Sequence, residues 1–434
     1  MIHHDILHRI KKERQHESFI YPYYGTYSIA EIPPSVKLWL GAGSNDRATF
    51  PFALRYNHAY RQVLFFFVDG LGFDHFVDYE STLPFFRKLK TEGDVYPITS
   101  VFPSTTPAAL TTLHTNKTPQ EHGLPEWTLY FEEFDQIVEP LPFRAQLTHD
   151  REGLVALGGK PDMLYEGQTL YEELAAEGVN SYVYLKEEIA GSTYSTVSQR
   201  GSETRPFTDD ESLIRTLSET FGNEHGRAYH FLYWDRVDGV EHVHGPRSKQ
   251  HVAALEDLSS FLMRVVAALP SESVRDTLFI LSSDHGQAAI RNEDIIYLND
   301  YVDLETTYTH GPGGKSIYPT GAPHDVFLHI YEPKRDATID YLKRQLAGKA
   351  DVITTKEAVD RGLYGIGKPS ERFLKRVGDV LILPYEGYHV WYRHAPDSTF
   401  GQLGIHGGLS QREMIVPFAI APLERLVERS GPVS

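Results

Sequence analysis

The 434-residue chain contains no cysteine. Disulfide bonds, thiolate metal ligands and cysteine nucleophiles are therefore excluded, and any metal site must be built from oxygen and nitrogen ligands. Basic residues are also scarce, because 42 Lys and Arg stand against 59 Asp and Glu and give a formal net charge of −17 at pH 7. Binding of a DNA or RNA polymer requires clustered cations, so we expect no nucleic acid partner.

Long apolar runs are missing as well. No stretch of about 18 apolar residues occurs, so we expect no membrane-spanning helix and no membrane partner. Residues 1–14 are rich in His, Lys and Arg and lack the apolar centre of a signal peptide, which predicts a cytoplasmic protein. What the chain does have is 41% hydrophobic and 12% aromatic residues, enough for a large core. The oligomeric state is left open.

Short apolar runs alternate with segments of helical periodicity. Residues 63–68 are all apolar, which is typical of a strand buried on both faces of a parallel sheet. Helices are predicted over residues 170–177 and 249–269. Further strands are predicted over residues 94–102, 181–185, 227–234 and 277–282. This alternation predicts an α/β fold in which helices cover a mostly parallel sheet.

Changes in this pattern divide the chain into three predicted parts. Residues 1–58 are interrupted by prolines, and we expect an N-terminal arm packed on the core. Residues 59–286 and 404–434 form the predicted catalytic core. Residues 287–403 are irregular, and we expect a cap or insert that includes some core strands. Within it, strands are predicted over residues 325–330 and 379–383, and a helix over residues 337–346.

The most informative stretch follows the apolar run at residues 230–234. Asp238 and His242 lie four residues apart just beyond a predicted strand, and a carboxylate and an imidazole at this spacing can chelate one divalent cation. A surface pair on a helix has the same spacing, so these two residues alone do not establish a metal site. Further acids and imidazoles that follow other apolar runs or precede glycines support the interpretation as a metal site. They are Asp69, Asp284, His285 and His406.

Together these residues supply three Asp and three His, enough for two divalent cations. They are expected to converge, because ligands of parallel sheets gather beyond the carboxyl ends of the strands. Aspartate and neutral imidazole suit Zn²⁺ or Mn²⁺, and we favour Zn²⁺. A nucleophilic hydroxyl is offered by Ser104, Thr105 or Thr106, where a predicted strand passes into a helix. Metal coordination lowers the pKa of such a hydroxyl, and a helix N-terminus favours a bound phosphate.

In this order and at these spacings, the motifs resemble the alkaline phosphatase superfamily, and especially its type I phosphodiesterase/nucleotide pyrophosphatase branch. The resemblance covers residues from about 62 to 420 and follows the family order Asp, Thr, Asp-x-x-x-His, Asp-His and His. It implies an alkaline phosphatase-like three-layer α/β/α sandwich with an inserted cap subdomain. The family carries a Thr-Gly-x-x-Pro-x-x-His-Gly segment nine residues beyond its nucleophile. Residues 115–123 fit that segment except at Asn116, so the resemblance selects Thr106.

The resemblance also implies the activity, a metal-dependent hydrolase of the phosphodiesterase or nucleotide pyrophosphatase type that uses two metal ions. Thr106 would attack a small-molecule phosphate ester in line and form a phosphothreonine, which water would then hydrolyse. One metal ion would be held by Asp69, Thr106, Asp284 and His285, and the other by Asp238, His242 and His406.

One departure from the family concerns the substrate. An Asn that holds a phosphate oxygen usually lies about twenty-one residues beyond the nucleophile, and Trp127 occupies that position here. Trp127 is therefore a candidate for stacking on a ring-bearing leaving group. Further candidates for substrate contacts are Asn116, Glu126 and Arg236, with Lys315, His324, Lys334 and Arg376 as possible anion contacts in the cap.

Other functions stay open on the same core. They are a phosphomonoesterase, a carbon–phosphorus hydrolase or phosphotransferase, and, from a different class, a non-catalytic binding protein that keeps the metal fold. A sulfatase is disfavoured, because its nucleophile derives from Cys or Ser and the aligned residue is Thr106. Each motif alone also fits a structural role, such as a turn at Asp69 or a helix cap at Thr106. We favour metal sites because the motifs occur together in the family's order.

Overall fold

A seven-stranded sheet forms the centre of the computed structural model, which describes residues 1–43, 47–56, 59–301, 304–395 and 400–427. Its strands are β1 (Gln62–Val68), β2 (Asp94–Thr99), β3 (Asn180–Lys186), β4 (Glu203–Phe207), β5 (Ala228–Trp234), β6 (Thr277–Ser283) and β7 (Ile415–Pro422). The order across the sheet is β2-β7-β6-β1-β5-β3-β4. Strand β7 is antiparallel to both of its neighbours, and the other pairs are parallel. The predicted mostly parallel sheet is therefore present.

Helices cover both faces of this sheet. The longer ones are α1 (His4–Arg14), α2 (Ile32–Trp39), α3 (Phe73–Tyr79), α4 (Pro84–Glu92), α5 (Thr106–Thr115), α6 (Leu170–Ala176), α7 (Asp210–Asn223), α8 (Arg236–His244), α9 (Lys249–Ala268) and α10 (Arg335–Gln345). Phe66 of β1 packs against Phe261 of α9, whereas Phe65 contacts Phe231, which packs against His114 of α5. Successive side chains of a strand point to opposite faces, so α5 and α9 form the two outer layers. No helix of the described residues is long and apolar enough to cross a bilayer.

The N-terminal segment packs on the edge of the sheet. The backbone N–H of Val95 in β2 donates to the carbonyl of Met1 at 2.7 Å. The ring of His3 stacks on Tyr96 with 4.2 Å between ring centroids, and Phe52 stacks on the same tyrosine. These contacts hold residues of the segment against β2. The predicted arm of residues 1–58, whose boundary lies outside the described residues, stays a prediction, as does the assignment of residues 428–434 to the core.

Residues 287–403 contain a sheet of their own. Its four strands are Thr320–Ala322, Asp325–Leu328, Ala350–Thr354 and Val380–Pro384. We expected some strands of this insert in the central sheet, but the described residues of the insert supply none. The insert begins and ends at one place, because Ala288–Ala289 pairs antiparallel with Gly404–Ile405.

The insert sheet has two apolar faces. Val326, Leu328 and Ile382 pack with Leu342 of α10 in a separate cluster, which we call the insert cluster. Phe327 belongs to the hydrophobic core of the main domain. Because successive side chains of a strand alternate, the insert sheet is sandwiched between its own helix and the catalytic core.

Candidate active site and metal centre

The predicted ligands lie at the carboxyl edge of the central sheet. Asp69 directly follows β1 and Asp284 directly follows β6, its parallel neighbour. The other parallel neighbour of β1 is β5, and α8 begins two residues after it and carries Asp238 and His242. Thr106 is the first residue of α5. Because the carboxyl ends of parallel strands share one edge, residues distant in sequence meet there.

Asp69, Asp284 and His285 form one cluster, which we call the first site together with Thr106. Their potential ligand atoms lie within 4.8 Å of one another, and all three side chains are buried. The Nε2 of His285 is 3.4 Å from Asp284 Oδ2 and 3.6 Å from Asp69 Oδ1. The hydroxyl of Thr106 is 3.3 Å from the same Nε2 and 3.5 Å from Asp69 Oδ1. The predicted nucleophile is thus part of this cluster.

The three hydroxyl candidates are separated by their hydrogen bonds. Ser104 donates to the carbonyl of Gly408 at 2.8 Å, and Thr105 donates to the carbonyl of Pro125 at 3.0 Å. Both hydroxyls are therefore engaged with the backbone, whereas that of Thr106 faces the acidic cluster. The geometry favours Thr106 among the three.

Asp238, His242 and His406 form a second cluster, which we call the second site. Asp238 Oδ1 is 3.2 Å from His242 Nε2 and 3.7 Å from His406 Nε2. The ring of His406 also stacks on His285 of the first site, with 3.6 Å between centroids. The two clusters therefore adjoin, as a pair of metal ions acting on one phosphate requires.

The hydrogen bonds of the three histidines fix which ring nitrogen faces each cluster. The Nδ1 of His242 bonds the carbonyl of Gly404 at 2.8 Å, and the Nδ1 of His406 bonds the carbonyl of Ser104 at 3.0 Å. His285 does the same with Gly286 at 3.2 Å. A carbonyl only accepts, so each Nδ1 carries a proton, and in the neutral ring each Nε2 offers a lone pair to the cluster. This tautomer is the one that metal-binding histidines adopt.

The carboxylate of Asp284 leaves one oxygen free for a cation. Asp284 Oδ1 accepts hydrogen bonds from the backbone N–H groups of Gly70 and His285, both at 3.0 Å. Its Oδ2 is buried and has no hydrogen-bond partner in the structure. An unsatisfied buried carboxylate oxygen is costly unless it binds a cation. The oxygen and nitrogen donors present therefore fit two divalent ions.

Burial controls the ionisation of these groups. Burial, together with the negative charges of Asp284 and Asp238, raises the pKa of Asp69, and burial also raises that of Asp284. Burial opposes ionisation of Asp238 too, but the hydrogen bond and charge of His242 lower its pKa overall. The pKa of His285 falls to about 4, chiefly through burial. Burial disfavours the charged form of His242, but the hydrogen bond and charge of Asp238 raise the pKa of this imidazole overall. A divalent cation stabilises the excess negative charge of the carboxylates.

In a third cluster of possible ligands, the histidine that can be assigned has its proton on the other ring nitrogen. His75, Glu241 and His251 are buried with their polar atoms within 4.8 Å of one another. The backbone N–H of Arg247 donates to His251 Nδ1 at 3.0 Å, so the proton of the neutral ring lies on Nε2. That nitrogen lies 3.3 Å from Glu241 Oε1, although neither atom makes a hydrogen bond in the structure. We interpret this cluster as a buried polar group packed between α3, α8 and α9, because the protonated nitrogen of His251 is the one that faces it.

Two cavities meet at Thr106. The smaller, of about 300 Å³, is lined mainly by apolar and aromatic residues such as Leu110, Phe231 and Tyr233, with Arg151 as its cation. The larger, of about 520 Å³, lies on the side of His242 and His406 and reaches the insert. Trp127 lines both cavities and is 42% exposed. The position predicted to contact substrate is therefore beside the predicted nucleophile.

A model of the family described as type I phosphodiesterase / nucleotide pyrophosphatase matches residues 63–409, well over half of the chain. The chain belongs to this family. The predicted membership in that branch of the alkaline phosphatase superfamily, and the predicted α/β fold, are confirmed.

Relatives of this family member are distant. Ectonucleotide pyrophosphatase/phosphodiesterase family member 5 of Homo sapiens is 21% identical over 208 residues, 47% of this chain and 39% of the relative. Bis(5'-adenosyl)-triphosphatase enpp4 of Xenopus laevis is 24% identical over 192 residues, 44% of this chain and 37% of the relative. The matched part thus spans less than half the length of these curated relatives.

Solved structures of the family share the fold. Murine ectonucleotide pyrophosphatase/phosphodiesterase 5 superposes with a TM-score of 0.62 at 18% identity, covering 83% of this chain and 87% of that chain. An inactive form of the same murine protein in complex with AMP gives a TM-score of 0.63 at 19% identity, covering 83% and 88%. At this identity the similarity establishes a common fold.

Several predicted contacts do not reach the site of this phosphodiesterase family member. Asn116 directly follows α5, about 15 Å along the helix axis from Thr106, and its side-chain amide donates to Glu173 at 3.4 Å. Arg236 pairs with Asp210 instead. The four predicted anion contacts of the cap line neither cavity: Lys315, His324, Lys334 and Arg376.

Those cap residues have other partners. Arg376 is buried, donates to the backbone carbonyls of Gly123 and Met163, and stacks on Phe131. His324 hydrogen-bonds Glu413 at 2.7 Å. The insert instead lines the larger cavity with Trp391, His394 and Phe400.

Sequence reasoning missed two polar residues that contact the predicted ligands. The hydroxyl of Tyr233 donates to Asp69 Oδ2, and the amide of Gln287 donates to Asp238 Oδ1 at 2.5 Å. A signal was present for both, since Tyr233 lies near the end of β5 and Gln287 follows the Asp284-His285 motif by two residues. Glu126, which we did predict, lines the larger cavity and is buried.

Proposed function

We propose that this chain is a two-metal phosphoesterase that hydrolyses small-molecule phosphodiester or pyrophosphate bonds through a phosphothreonine at Thr106. The observation that carries the proposal is the meeting of two cavities at Thr106. A phosphodiester has an organic group on each side of its phosphorus, and each cavity can accept one. A phosphomonoester would leave one cavity empty.

The two sites would hold the metal ions that the family implies. Asp69, Thr106, Asp284 and His285 would hold one ion, and Asp238, His242 and His406 the other. Two bound divalent ions would neutralise the phosphate and lower the pKa of the attacking hydroxyl. Zinc is favoured over manganese because imidazole and carboxylate donors surround both positions, and metal analysis of the purified protein tests this choice.

The residues of the chain position the attacking group. Thr106 opens α5, so its hydroxyl lies at the positive end of the helix dipole, which favours a phosphate. The Thr106 hydroxyl gives up its proton, and its oxygen forms a new bond to phosphorus as the ester bond breaks. The leaving alkoxide takes up a proton and departs as an alcohol. Water then cleaves the phosphothreonine and restores the hydroxyl.

The cavity walls favour a ring-bearing ester. Trp127 borders both cavities, and Phe231 and Tyr233 line the smaller one, so aromatic stacking is available on either side of the phosphate. A nucleotide diester or pyrophosphate is a substrate of this chemistry. The cytoplasmic location predicted from the sequence stays a prediction, which cell fractionation with an antibody to the chain would test.

A substrate panel tests the proposal. Purified protein loaded with Zn²⁺ or Mn²⁺ is assayed on bis-p-nitrophenyl phosphate, p-nitrophenyl phosphate and phosphonoacetate. We expect kcat/KM for the diester to exceed that for the monoester by at least about tenfold, because only the diester fills both cavities. Preference for the monoester or for phosphonoacetate would establish the corresponding alternative. Inactivity on all three despite two bound metal ions would favour a binding protein.

A further inference from the structure

Two neutral hydrogen-bond donors hold the aspartates of the two metal sites. Tyr233 donates its hydroxyl proton to Asp69 of the first site. Gln287 donates from its side-chain amide to Asp238 of the second site. We propose that Tyr233 and Gln287 are positioning residues, each of which sets the affinity of one metal site without affecting the other. The inference rests on the two-metal function proposed above.

The register of the central sheet places Tyr233 beside Asp69. Tyr233 of β5 pairs with Phe67 of β1, and their rings stack with 6.2 Å between centroids. Asp69 follows Phe67 by two residues and therefore projects on the same side. Its Oδ2 accepts the tyrosine proton, whereas its Oδ1 faces Thr106 and His285. The hydrogen bond thus selects which carboxylate oxygen is presented to the first site.

Gln287 holds Asp238 in a different way. Its amide nitrogen donates both to Asp238 Oδ1 at 2.5 Å and to the backbone carbonyl of Asp238 at 3.2 Å. The glutamine side chain is 1% exposed, so water does not compete for these bonds. Two bonds from one amide fix the carboxylate relative to the start of α8. That same oxygen faces the Nε2 atoms of His242 and His406.

The chemistry of both donors suits a cation site. A lysine or arginine in either position would hold the aspartate but would also repel a metal ion. A phenol and an amide orient the carboxylate and leave its full negative charge for the metal. Loss of such outer hydrogen bonds typically weakens metal binding by about 10–100-fold. Because each donor contacts a different aspartate, the two effects should be separable.

Single-site proteins make the separation measurable. Asp284→Asn disables the first site, and His406→Ala disables the second. In each background, Zn²⁺ affinity is measured by competition with a chromophoric chelator, before and after adding Tyr233→Phe or Gln287→Met. We expect Tyr233→Phe to weaken the remaining first site about 10–100-fold and to leave the remaining second site unchanged, and Gln287→Met to do the opposite.

Tyr184→Phe is the matched control. It removes a buried hydroxyl that is 3.0 Å from His230, on strands of the same sheet but away from both sites. Both affinities should be unchanged. If a single-site protein fails to fold, chelator titration of the two-site protein replaces it, with one ion released early in each positioning variant and none in the control.

The outcomes distinguish this inference from the proposed function. Equal weakening of both sites, or no weakening, overturns the positioning role while two bound ions preserve the function. An unmodified chain that binds no Zn²⁺ overturns both. Activity gives a second readout at Gln287, which lines neither cavity, because saturating Zn²⁺ should restore most of kcat in Gln287→Met. A kcat that stays low in this variant when both sites are saturated would overturn the proposal.

Discussion

The proposed role of Thr106 rests on a difference in hydrogen bonding between its hydroxyl and those of Ser104 and Thr105. Three hydroxyls follow one another at the entrance to α5, but those of Ser104 and Thr105 donate to backbone carbonyls. Only a motif count distinguishes them in the sequence, whereas hydrogen bonding distinguishes them in the fold.

Replacing Thr106 should abolish turnover without emptying either metal site. We expect Thr106→Ala to lower kcat for the diester by at least about 10³-fold, because the covalent route is lost. The aspartates and histidines remain, so elemental analysis should still find two ions per chain. Thr105→Ala is the control and should retain turnover. Comparable losses in both variants would remove the basis for a phosphothreonine at Thr106.

At the residue scale, the meeting of the predicted metal ligands in two clusters could be predicted from the sequence, but the positions of several predicted substrate contacts could not. Asp69 and Asp284 directly follow buried strands, and Asp238 lies in the helix that comes after a third strand. The topology of a parallel sheet brings such positions together. Arg376 shows the limit, because its charge suggested an anion contact while its side chain turns inward to backbone carbonyls. A long side chain can reach in many directions, and one sequence does not specify which.

At the scale of elements, the turn after β1 controls the approach of α8. Gly70 has φ +81°, and a Cβ at this position would lie 2.8 Å from the Cα of Asp238. The backbone N–H of Asp238 also bonds the carbonyl of Asp69 at 3.2 Å. The turn and the helix are therefore in direct backbone contact.

Gly70→Ala should displace α8 and disrupt the second site. A left-handed φ costs an alanine roughly 1–2 kcal/mol, and the contact with Asp238 adds to it. We expect a lower melting temperature and loss of one bound Zn²⁺, measured by calorimetry and elemental analysis. Gly239→Ala, on α8 itself with no atom within 4 Å of its added Cβ, is the control. If both variants keep two ions, the turn does not set the helix position.

Strand β5 carries a buried histidine that should make stability depend on pH. His230 Nε2 bonds Gln62 Oε1 at 3.0 Å, and its Nδ1 bonds the hydroxyl of Tyr184 at 3.0 Å. The neutral ring therefore donates to the oxygen of Gln62 and accepts from the hydroxyl of Tyr184. Burial lowers its pKa to about 3. In the unfolded chain the imidazole has its ordinary pKa of about 6.5. Between this pH and the folded pKa of about 3, the unfolded chain therefore binds a proton at His230 that the folded chain does not bind.

The free energy of unfolding should consequently fall as pH decreases below about 6.5. The contribution of His230 is about 1.4 kcal/mol per pH unit. His230→Gln keeps a donor and an acceptor but does not titrate. Urea unfolding at pH 6.5, 5.5 and 4.5 should give a shallower decline for this variant than for the unmodified chain. Parallel declines would show that His230 is protonated in the folded state.

Most strands of the central sheet were predictable from sequence, and the exceptions have clear causes. The strand predicted over residues 227–234 is observed as Ala228–Trp234. Strand β7 was missed because Pro417 interrupts its apolar run, and proline disfavours interior strands. In the sheet Pro417 lies opposite Pro97 of β2, so two residues without N–H groups face each other. Strand β4 was missed because, as an edge strand, it is largely polar.

At the scale of the whole molecule, the insert shares a hydrophobic core with the rest of the chain. Sequence irregularity predicted a cap or insert with some core strands, and its ends adjoin at Ala289 and Gly404. The apolar residues of the insert sheet are divided between two clusters. Phe327, Leu381 and Leu383 belong to the hydrophobic core of the main domain. Such contacts are long-range, which is why periodicity along the chain did not reveal them.

The insert and the core should therefore unfold together. Detaching the strand Asp325–Leu328 would expose Phe327 and the core residues beneath it, so opening of the insert costs main-core burial. Hydrogen exchange measured by mass spectrometry should give similar opening free energies for that strand and for β1. Leu342→Ala, which empties part of the insert cluster, should cost about 2–5 kcal/mol.

That variant decides between one cooperative unit and two. In a single unit, Leu342→Ala lowers the opening free energy of β1 by the same amount as that of the insert, although Leu342 belongs to the insert cluster. In a detachable cap, only the insert peptides exchange faster and β1 is unchanged. We expect the first result, because the insert sheet packs on both of its faces. Opening of the insert would also remove the wall that Trp391 and Phe400 supply to the larger cavity. Substrate selection and global stability would then depend on the same contacts.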